Sequence, residues 1–326
     1  MLQHPFSHSL DQINFDSAED CRKILLSDKH TRVEGLCSEA VFGEDIVEGN
    51  ISTVAPDFWF SVDRRGKYDV LKIVTNYEKP LSELELRILD QLAVANKTGK
   101  VGIVHFDDST NTFRAFGHVK GESFGSLTGR GNVWPLSGRG KMAEEEDRDE
   151  ERILKACDFL EERGMLKDAA IKRIFANCVL GRDAVWDVDV LTLVGNIVVA
   201  LEVKHKYPTA DGCFGVNIGQ ERFFEYLIGA DIPVIHVILE KPVRRKDFSA
   251  IDLLTMPEYV GKARWRYLRL LPEKFLAAIR MAPEATAIYG HTKLPFRAIP
   301  EKRFGILKGL GKKQNGIREK LFEGIK

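Results

Sequence analysis

The sequence predicts an α/β protein in two parts, an N-terminal α+β domain and a C-terminal domain built around a β-hairpin. β-Branched and aromatic runs alternate with stretches of helical periodicity in both halves of the chain. Residues 137–151, glycine-rich and then acidic, lack hydrophobic periodicity and are the best candidate for a linker. We therefore expect domains at 1–145 and 146–300 and a basic C-terminal tail at 301–326. For the N-terminal domain we expect a role in recognition, regulation or assembly, with a protein partner.

The composition is typical of a globular protein with a core. Of 326 residues, 44% are hydrophobic and 29% charged, and 48 basic residues balance 48 acidic ones. No apolar run reaches the roughly 18 residues of a membrane-spanning helix. The polar, acidic N-terminus is unlike a signal peptide, and the five scattered cysteines, without CxxC spacing, favour reduced thiols over a zinc site. These features predict a cytoplasmic protein that does not bind a membrane.

The neutral net charge conceals an asymmetry. Residues 241–326 contain 20 Lys and Arg against 8 Asp and Glu. A basic surplus of this size favours a polyanionic partner such as nucleic acid. Arg264 and Arg266 alternate with Trp265 and Tyr267, a pattern that suits contacts to phosphates and bases. The same pattern also fits a strand with core aromatics and surface arginines, and the sequence leaves both interpretations open.

The N-terminal elements follow from local patterns. Residues 58–78 predict two strands around a turn at Arg65–Gly66, and leucines at helical spacing predict a helix from about residue 81, with Ser82 as its cap. The runs KVGIVHF and TFRAFGHVKG predict two further strands, joined by a turn rich in Asp, Ser and Asn.

The C-terminal elements begin with one or two helices over residues 153–176. The most informative stretch follows: two β-branched runs, WDVDVLTLV and IVVALEVKH, flank Gly195 and Asn196. A Gly-Asn pair in this setting predicts a two-residue hairpin in which Val194 pairs with Ile197.

This register places Glu202 opposite Asp189 and Lys204 opposite Asp187, with all four side chains on one face. Opposed carboxylates repel each other by a few tenths to ~1 kcal/mol unless a cation lies between them. Mg²⁺ favours one or two carboxylates together with waters and phosphate oxygens, and a nearby lysine can position the attacking water. The pattern indicates metal-dependent phosphodiester hydrolysis, although a plain cross-strand ion pair with solvated carboxylates remains an alternative.

At this point the residues resemble a known family. Asp189, twelve residues and then Glu202-Val203-Lys204 resemble the D…(D/E)xK signature of the PD-(D/E)XK, or restriction-endonuclease-like, nuclease superfamily. A predicted helix with Gln220 near its start and a predicted strand at 233–239 follow in the order of that superfamily. The resemblance covers about residues 150–240. It extends to the nuclease-related domain branch, which has an acidic residue on a helix. In this sequence Glu150 or Glu151 would supply that residue.

The resemblance implies a mixed sheet flanked by helices and a catalytic set of Asp189, Glu202, Lys204 and Gln220. Asp189 and Glu202, with the Val203 carbonyl, would bind Mg²⁺ or Mn²⁺. Lys204 would be the catalytic lysine and contact nucleic acid, and Gln220 would orient the site or contact DNA. The implied partner is DNA, and a homodimer is expected because many nucleases of this fold pair two sites.

Two other functions remain open from the sequence. One is a non-catalytic nucleic-acid-binding or assembly module on the same fold. The other is a nuclease that cleaves RNA or that is gated by an effector bound to the N-terminal domain. An intact set of Asp189, Glu202 and Lys204 favours an enzyme, since a pure binding module has no need for opposed carboxylates.

Overall fold

The computed structural model describes residues 13–62, 68–75, 81–95, 101–117, 132–134, 148–180, 184–244, 248–270, 279–281 and 295–325. The chain divides into two compact units. Unit 1 is Met1–Val33 with Ala55–Val188, and unit 2 is Glu34–Val54 with Asp189–Lys326. The division therefore falls at Val188, not near residue 145 as predicted, and most of the predicted linker lies outside the described residues.

Unit 1 pairs a mixed sheet with helices. Its helices are α1 (Ala18–Leu25), the first turn of α2 (His30–Phe42), α3 (Glu83–Ala95), α4 (Glu150–Glu161) and α5 (Leu166–Ile174), which continues as a π-helix over Phe175–Leu180. After the two-residue strand β1 (Val54–Ala55), its strands are β2 (Phe58–Val62), β3 (Tyr68–Val74), β4 (Val101–Asp107), β5 (Thr112–Gly117), β6 (Asn132–Trp134) and β7 (Ala184–Val188). The sheet order is β6-β5-β4-β3-β2-β7.

The predicted N-terminal elements are confirmed where the structure describes them. The strand pairs β2–β3 and β4–β5 are antiparallel, and β3 runs parallel to β4 through α3. Ser82 caps α3 reciprocally: its Oγ accepts from the Glu85 backbone N–H at 3.2 Å, and the Glu85 carboxylate accepts from the Ser82 N–H at 2.7 Å. Aromatic contacts between Phe106, Phe113 and Phe175 fill the core of this unit.

Unit 2 contains most of α2, a π-helical turn at Gly43–Val47 and the chain from Asp189 onwards. Its helices are α6 (Ile218–Gly229), α7 (Ala250–Thr255), α8 (Pro257–Val260) and α9 (Ile317–Phe322), with a 3₁₀ turn at Glu301–Arg303. Its strands are β8 (Val190–Val194), β9 (Ile197–Lys206), β10 (Cys213–Asn217), β11 (Val234–Glu240), β12 (Arg264–Leu270), β13 (Ile279–Met281), β14 (Pro295–Pro300) and β15 (Gly305–Gly309).

The main sheet of unit 2 is mixed. Its strands follow the order β1-β8-β9-β11-β12-β15. The β9 and β11 strands are parallel, and the pairs β8–β9, β11–β12 and β12–β15 are antiparallel. The connection from β9 to β11 passes through β10 and α6, and β10 pairs with β14 in a smaller sheet. A mixed sheet flanked by helices is therefore observed, as the sequence predicted.

The two faces of this sheet differ in chemistry. One face is apolar and buries Leu201, Val203, Val237 and Trp265 against α2, α7 and α9. The opposite face bears Glu202, Lys204 and Lys206 of β9, because side chains alternate along a strand. The candidate site lies on this charged face.

Two predictions from the sequence are wrong. WDVDVLTLV is not one strand: β7 and β8 belong to different sheets, and Asp187 pairs with Trp59 of β2, whereas Lys204 pairs with Ile238 of β11. Residues 301–326 are not a tail, because β15 joins the main sheet and Leu321 of α9 lies in its core.

In the described part of the chain, no helix combines the length and apolarity needed to cross a membrane.

Candidate active site

The β8–β9 hairpin forms the floor of the site. Its ladder runs from Val194 paired with Ile197 to Val190 paired with Leu201, which is the register predicted from the Gly-Asn turn. Gly195 has φ 57°, a left-handed conformation that glycine adopts without steric cost. The turn therefore fixes which β8 and β9 residues lie opposite each other.

Asp189 lies just before β8, where the chain has left the ladder. Its Oδ2 accepts a hydrogen bond from the backbone N–H of Val203. Asp189 is therefore held beside β9 by a main-chain contact, whereas the sequence predicted a cross-strand pair with Glu202. Because the Val203 N–H is fixed by the strand, the position of the Asp189 carboxylate is fixed too.

Lys204 brings the two carboxylates together. Its Nζ lies 2.7 Å from Oε1 of Glu202 and 3.6 Å from Oδ2 of Asp189. The Asp189 and Glu202 side chains are 1% and 6% exposed, whereas the Lys204 side chain is 34% exposed. The cluster thus has buried carboxylates and an ammonium group that solvent reaches.

Gln220 joins the same cluster from α6. Its Nε2 donates to Oε1 of Glu202 at 2.7 Å, and the side chain is buried. Asn217 caps the helix by accepting from the Gln220 backbone N–H at 2.7 Å, and the adjacent Glu221 forms a buried ion pair with Arg297 of β14. The cap and the ion pair fix the first turn of α6 and hence the position of Gln220.

His236 lies beside Glu202 on β11. The two residues are paired in the parallel ladder, and the His236 Nδ1 lies 3.3 Å from the Glu202 carbonyl oxygen. Burial, and then the charges of Lys206 and Lys204, hold the pKa of His236 well below its usual value. His236 is fully buried in this strand, and nothing in the sequence signalled its contact with Glu202.

Lys206 is a second lysine on this face that sequence reasoning missed. Burial, and then the positive charge of Lys204, lower its pKa to about 8, although Glu202 opposes the shift. Its Nζ donates to the carbonyl oxygen of Gly215. The signal was present in the alternation Glu-Val-Lys-His-Lys, which places every second residue on the same face.

The donor set suits a hard cation that takes few ligands from the protein and completes its coordination with water and phosphate oxygens. Within the described ranges, no group of three or more His, Cys, Asp and Glu side chains comes together. Mg²⁺ and Mn²⁺ do not require such a group, because one or two carboxylates with waters and phosphate oxygens suffice for Mg²⁺. Asp189 and Glu202 could therefore hold one such ion. The Val203 N–H is engaged by Asp189, and the role of the Val203 carbonyl oxygen as a ligand stays a prediction.

Arg264 and Arg266 lie on β12. Both guanidinium groups contact Glu240 of β11, Arg266 through an Nε–Oε2 distance of 2.6 Å. Arg266 is buried, whereas the Arg264 side chain is 42% exposed. Trp265 is fully buried, and its Nε1 donates to Asp45 at 2.7 Å, so its ring is part of the core.

The acidic helix residues of the sequence analysis belong to the other unit. Glu150 and Glu151 begin α4 of unit 1, where both are exposed, whereas Asp189, Glu202, Lys204 and Gln220 all belong to unit 2. The cluster in unit 2 is therefore defined without either glutamate.

Comparison of the chain with protein-family models, with curated proteins and with solved structures finds no match.

Proposed function

We propose that unit 2 is a nuclease that hydrolyses DNA phosphodiester bonds with Mg²⁺ or Mn²⁺. The observation that carries the proposal is the contact of one partly exposed lysine, Lys204, with two buried carboxylates, Asp189 and Glu202. These three residues are the ones that resemble the D…(D/E)xK signature. Their setting also supports the proposal, because β9 runs parallel to the next core strand after a crossover through α6.

The chain positions each group for this chemistry. Burial makes an uncompensated carboxylate pair costly, so a cation beside Asp189 and Glu202 lowers the free energy of the folded state. Gln220 fixes the rotamer of Glu202, and the Val203 N–H fixes Asp189. When bound, Mg²⁺ or Mn²⁺ would make a water molecule a stronger nucleophile and would offset charge on the phosphate.

Lys204 has the exposure that a catalytic lysine needs. Its ammonium group can donate to a phosphate oxygen, where negative charge develops during hydrolysis. It can also orient the attacking water by a hydrogen bond. A lysine that served only to neutralise the two carboxylates would be most effective if it were as buried as they are.

One observation favours a non-catalytic nucleic-acid-binding module as the second candidate. Lys204 already contacts both carboxylates, so part of their charge is compensated by the chain itself. In this function the cluster would only hold the strands and α6 together.

The decisive experiment is cleavage of supercoiled and linear DNA, with a matched RNA, in Mg²⁺, Mn²⁺ or EDTA. Wild-type protein is compared with Lys204→Ala, Asp189→Asn and a control, Glu225→Gln, which removes an exposed carboxylate of α6. We expect metal-dependent cleavage that both site variants lose and the control keeps. Cleavage that survives in both site variants would place the reaction elsewhere, and binding without cleavage by the wild type would select the non-catalytic module.

A further inference from the structure

A cavity of about 300 Å³ opens in unit 2 where β9 and β11 end. Four basic side chains and two acidic ones line it: Lys241, Arg244, Lys262, Arg264, Glu240 and Glu301. Ligands of α/β proteins bind preferentially outside the carboxyl ends of parallel strands. The cavity occupies this position, since β9 and β11 are the parallel pair of the sheet.

The charges of the cavity do not cancel. Glu240 is engaged by Arg264 and Arg266, and the Lys241 Nζ donates to the Phe248 carbonyl oxygen at 2.8 Å. Arg244 and Lys262 are both exposed, and neither forms an ion pair with any described residue. The four basic and two acidic lining residues leave the cavity with a surplus of two positive charges, and Arg244 and Lys262 are the basic residues among them that the solvent reaches most.

The sheet register connects this cavity to the candidate active site. Lys206, Glu240 and Arg264 form one row of neighbours across β9, β11 and β12. This row lies four residues beyond Glu202 along β9, or about 13 Å at the rise of a strand. Because four is an even number, the Glu202 and Lys206 side chains lie on the same face of the sheet, and the face between them carries Lys204.

We propose that the cavity is a phosphate-binding subsite for the backbone of a nucleic-acid strand, with Arg244 and Lys262 as its main contacts. Arginine and lysine are the side chains that most often bind phosphate oxygens. The strand would extend along the charged face, so that another of its phosphodiesters lies at Asp189, Glu202 and Lys204. The placement of a phosphodiester at Asp189, Glu202 and Lys204 rests on the proposed function. The binding of phosphate in the cavity does not.

A volume of about 300 Å³ is at the lower limit for small-molecule pockets, and the cavity is open to solvent. One end of a long ligand fits these features better than an enclosed nucleotide does. A free nucleotide carries the same phosphate chemistry, however, so the experiment needs a separate arm for it.

The test is fluorescence anisotropy with labelled single-stranded and duplex DNA in EDTA, at several salt concentrations. The variant is Arg244→Gln with Lys262→Gln. The charge-matched control is Lys23→Gln with Lys155→Gln, which removes two partly exposed lysines from α1 and α4 of unit 1. We expect the cavity variant to raise Kd about tenfold and to lower the slope of log Kd against log salt by nearly two, whereas the control changes Kd less than about twofold.

An unchanged Kd and salt slope in the cavity variant would overturn the subsite. A cavity variant that loses binding to a mononucleotide but keeps its binding to DNA would also overturn the subsite, and would assign the cavity to free nucleotides. Because EDTA prevents cleavage, the outcome does not depend on the proposed hydrolysis. A wild type that never cleaves DNA but loses DNA binding in the cavity variant would contradict the nuclease and retain the subsite.

Discussion

Each unit contains a lysine that contacts two carboxylates, and the two clusters differ in which partner is buried. In unit 1, the Lys172 Nζ contacts both Asp168, one helical turn earlier on α5, and Asp57. The Lys172 side chain is 17% exposed and less accessible than either carboxylate. Burial alone would lower the pKa of Lys172, but Asp57 and Asp168 outweigh it and raise the pKa above its usual value.

In unit 2 the order of burial is reversed. Asp189 and Glu202 are almost completely buried, and Lys204 is the most exposed member. In unit 1, the less exposed ammonium group of Lys172 is neutralised by Asp57 and Asp168, which solvent partly reaches, as in a structural ion pair. In unit 2 the buried carboxylates contact a lysine that solvent reaches. The same residue types therefore occur in two different environments, and the two clusters differ in which charge is buried.

The largest expected effect concerns cleavage. Lys204→Ala should lower the DNA cleavage rate by at least about 100-fold, because a group that acts on the transition state is lost. Lys172→Ala should leave the rate within about twofold at a temperature where the variant is folded. The measurement is the initial rate of plasmid nicking in Mg²⁺, with folding checked by circular dichroism. Equal losses in the two variants would remove the distinction between the clusters.

The next effect concerns the pH dependence of stability in unit 2. The pKa of Lys206 is about 8 in the folded protein and about 10.4 when unfolded, so below pH 8 its charge opposes folding. That cost decreases as the pH rises towards 10. The free energy of unfolding of the wild type should therefore rise by roughly 2 kcal/mol relative to Lys206→Met between pH 7 and pH 10.

Urea denaturation of both proteins at several pH values measures this difference. The exposed Lys313→Met serves as the control for loss of a positive charge. A difference between the wild type and Lys206→Met that is constant across this pH range would show that Lys206 is not perturbed by its neighbours.

A smaller effect separates the two clusters by stability. Asp57→Asn should lower the free energy of unfolding by about 1–2 kcal/mol, because a contact with Lys172 loses its charge. Asn tolerates the φ of 67° at this position, so the backbone is unaffected. Asp189→Asn should change stability by less than about 1 kcal/mol, since Asn can still accept from the Val203 N–H and one buried negative charge is removed.

Urea denaturation at pH 7 compares these two variants directly. Residues kept for function are often neutral or stabilising to replace. A larger loss from Asp189→Asn than from Asp57→Asn would therefore identify the unit 2 cluster as the structural one.

The smallest effect is expected at Asp187, which the sequence placed opposite Lys204. Asp187 instead pairs with Trp59 in the sheet of unit 1, so Asp187→Ala should change DNA cleavage less than about twofold. Nicking assays beside Asp189→Ala test this directly. A loss comparable to that of Asp189→Ala would restore the role that the predicted register gave to Asp187.

The sequence by itself determined the local elements of this protein. The hairpin register follows from Gly195-Asn196 and the β-branched runs. A helix with Gln220 near its start was expected, and the structure has α6 there, capped by Asn217 through the Gln220 N–H. Glu202, Lys204 and Lys206 share a face because side chains alternate along a strand, and this alternation does not depend on any other part of the chain. The choice of Asp189, Glu202, Lys204 and Gln220 as neighbours depended only on these patterns and on the resemblance to a known signature.

Only the tertiary structure decided which sheet each strand joins and how deeply each charge is buried. WDVDVLTLV divides between two sheets because Asp187 lies in a strand that pairs with β2, more than a hundred residues earlier. The contact of His236 with Glu202 and the cavity at Arg244 both require β11 to lie beside β9. Strand pairing and desolvation depend on residues distant in sequence, so local periodicity predicts the elements but not their partners.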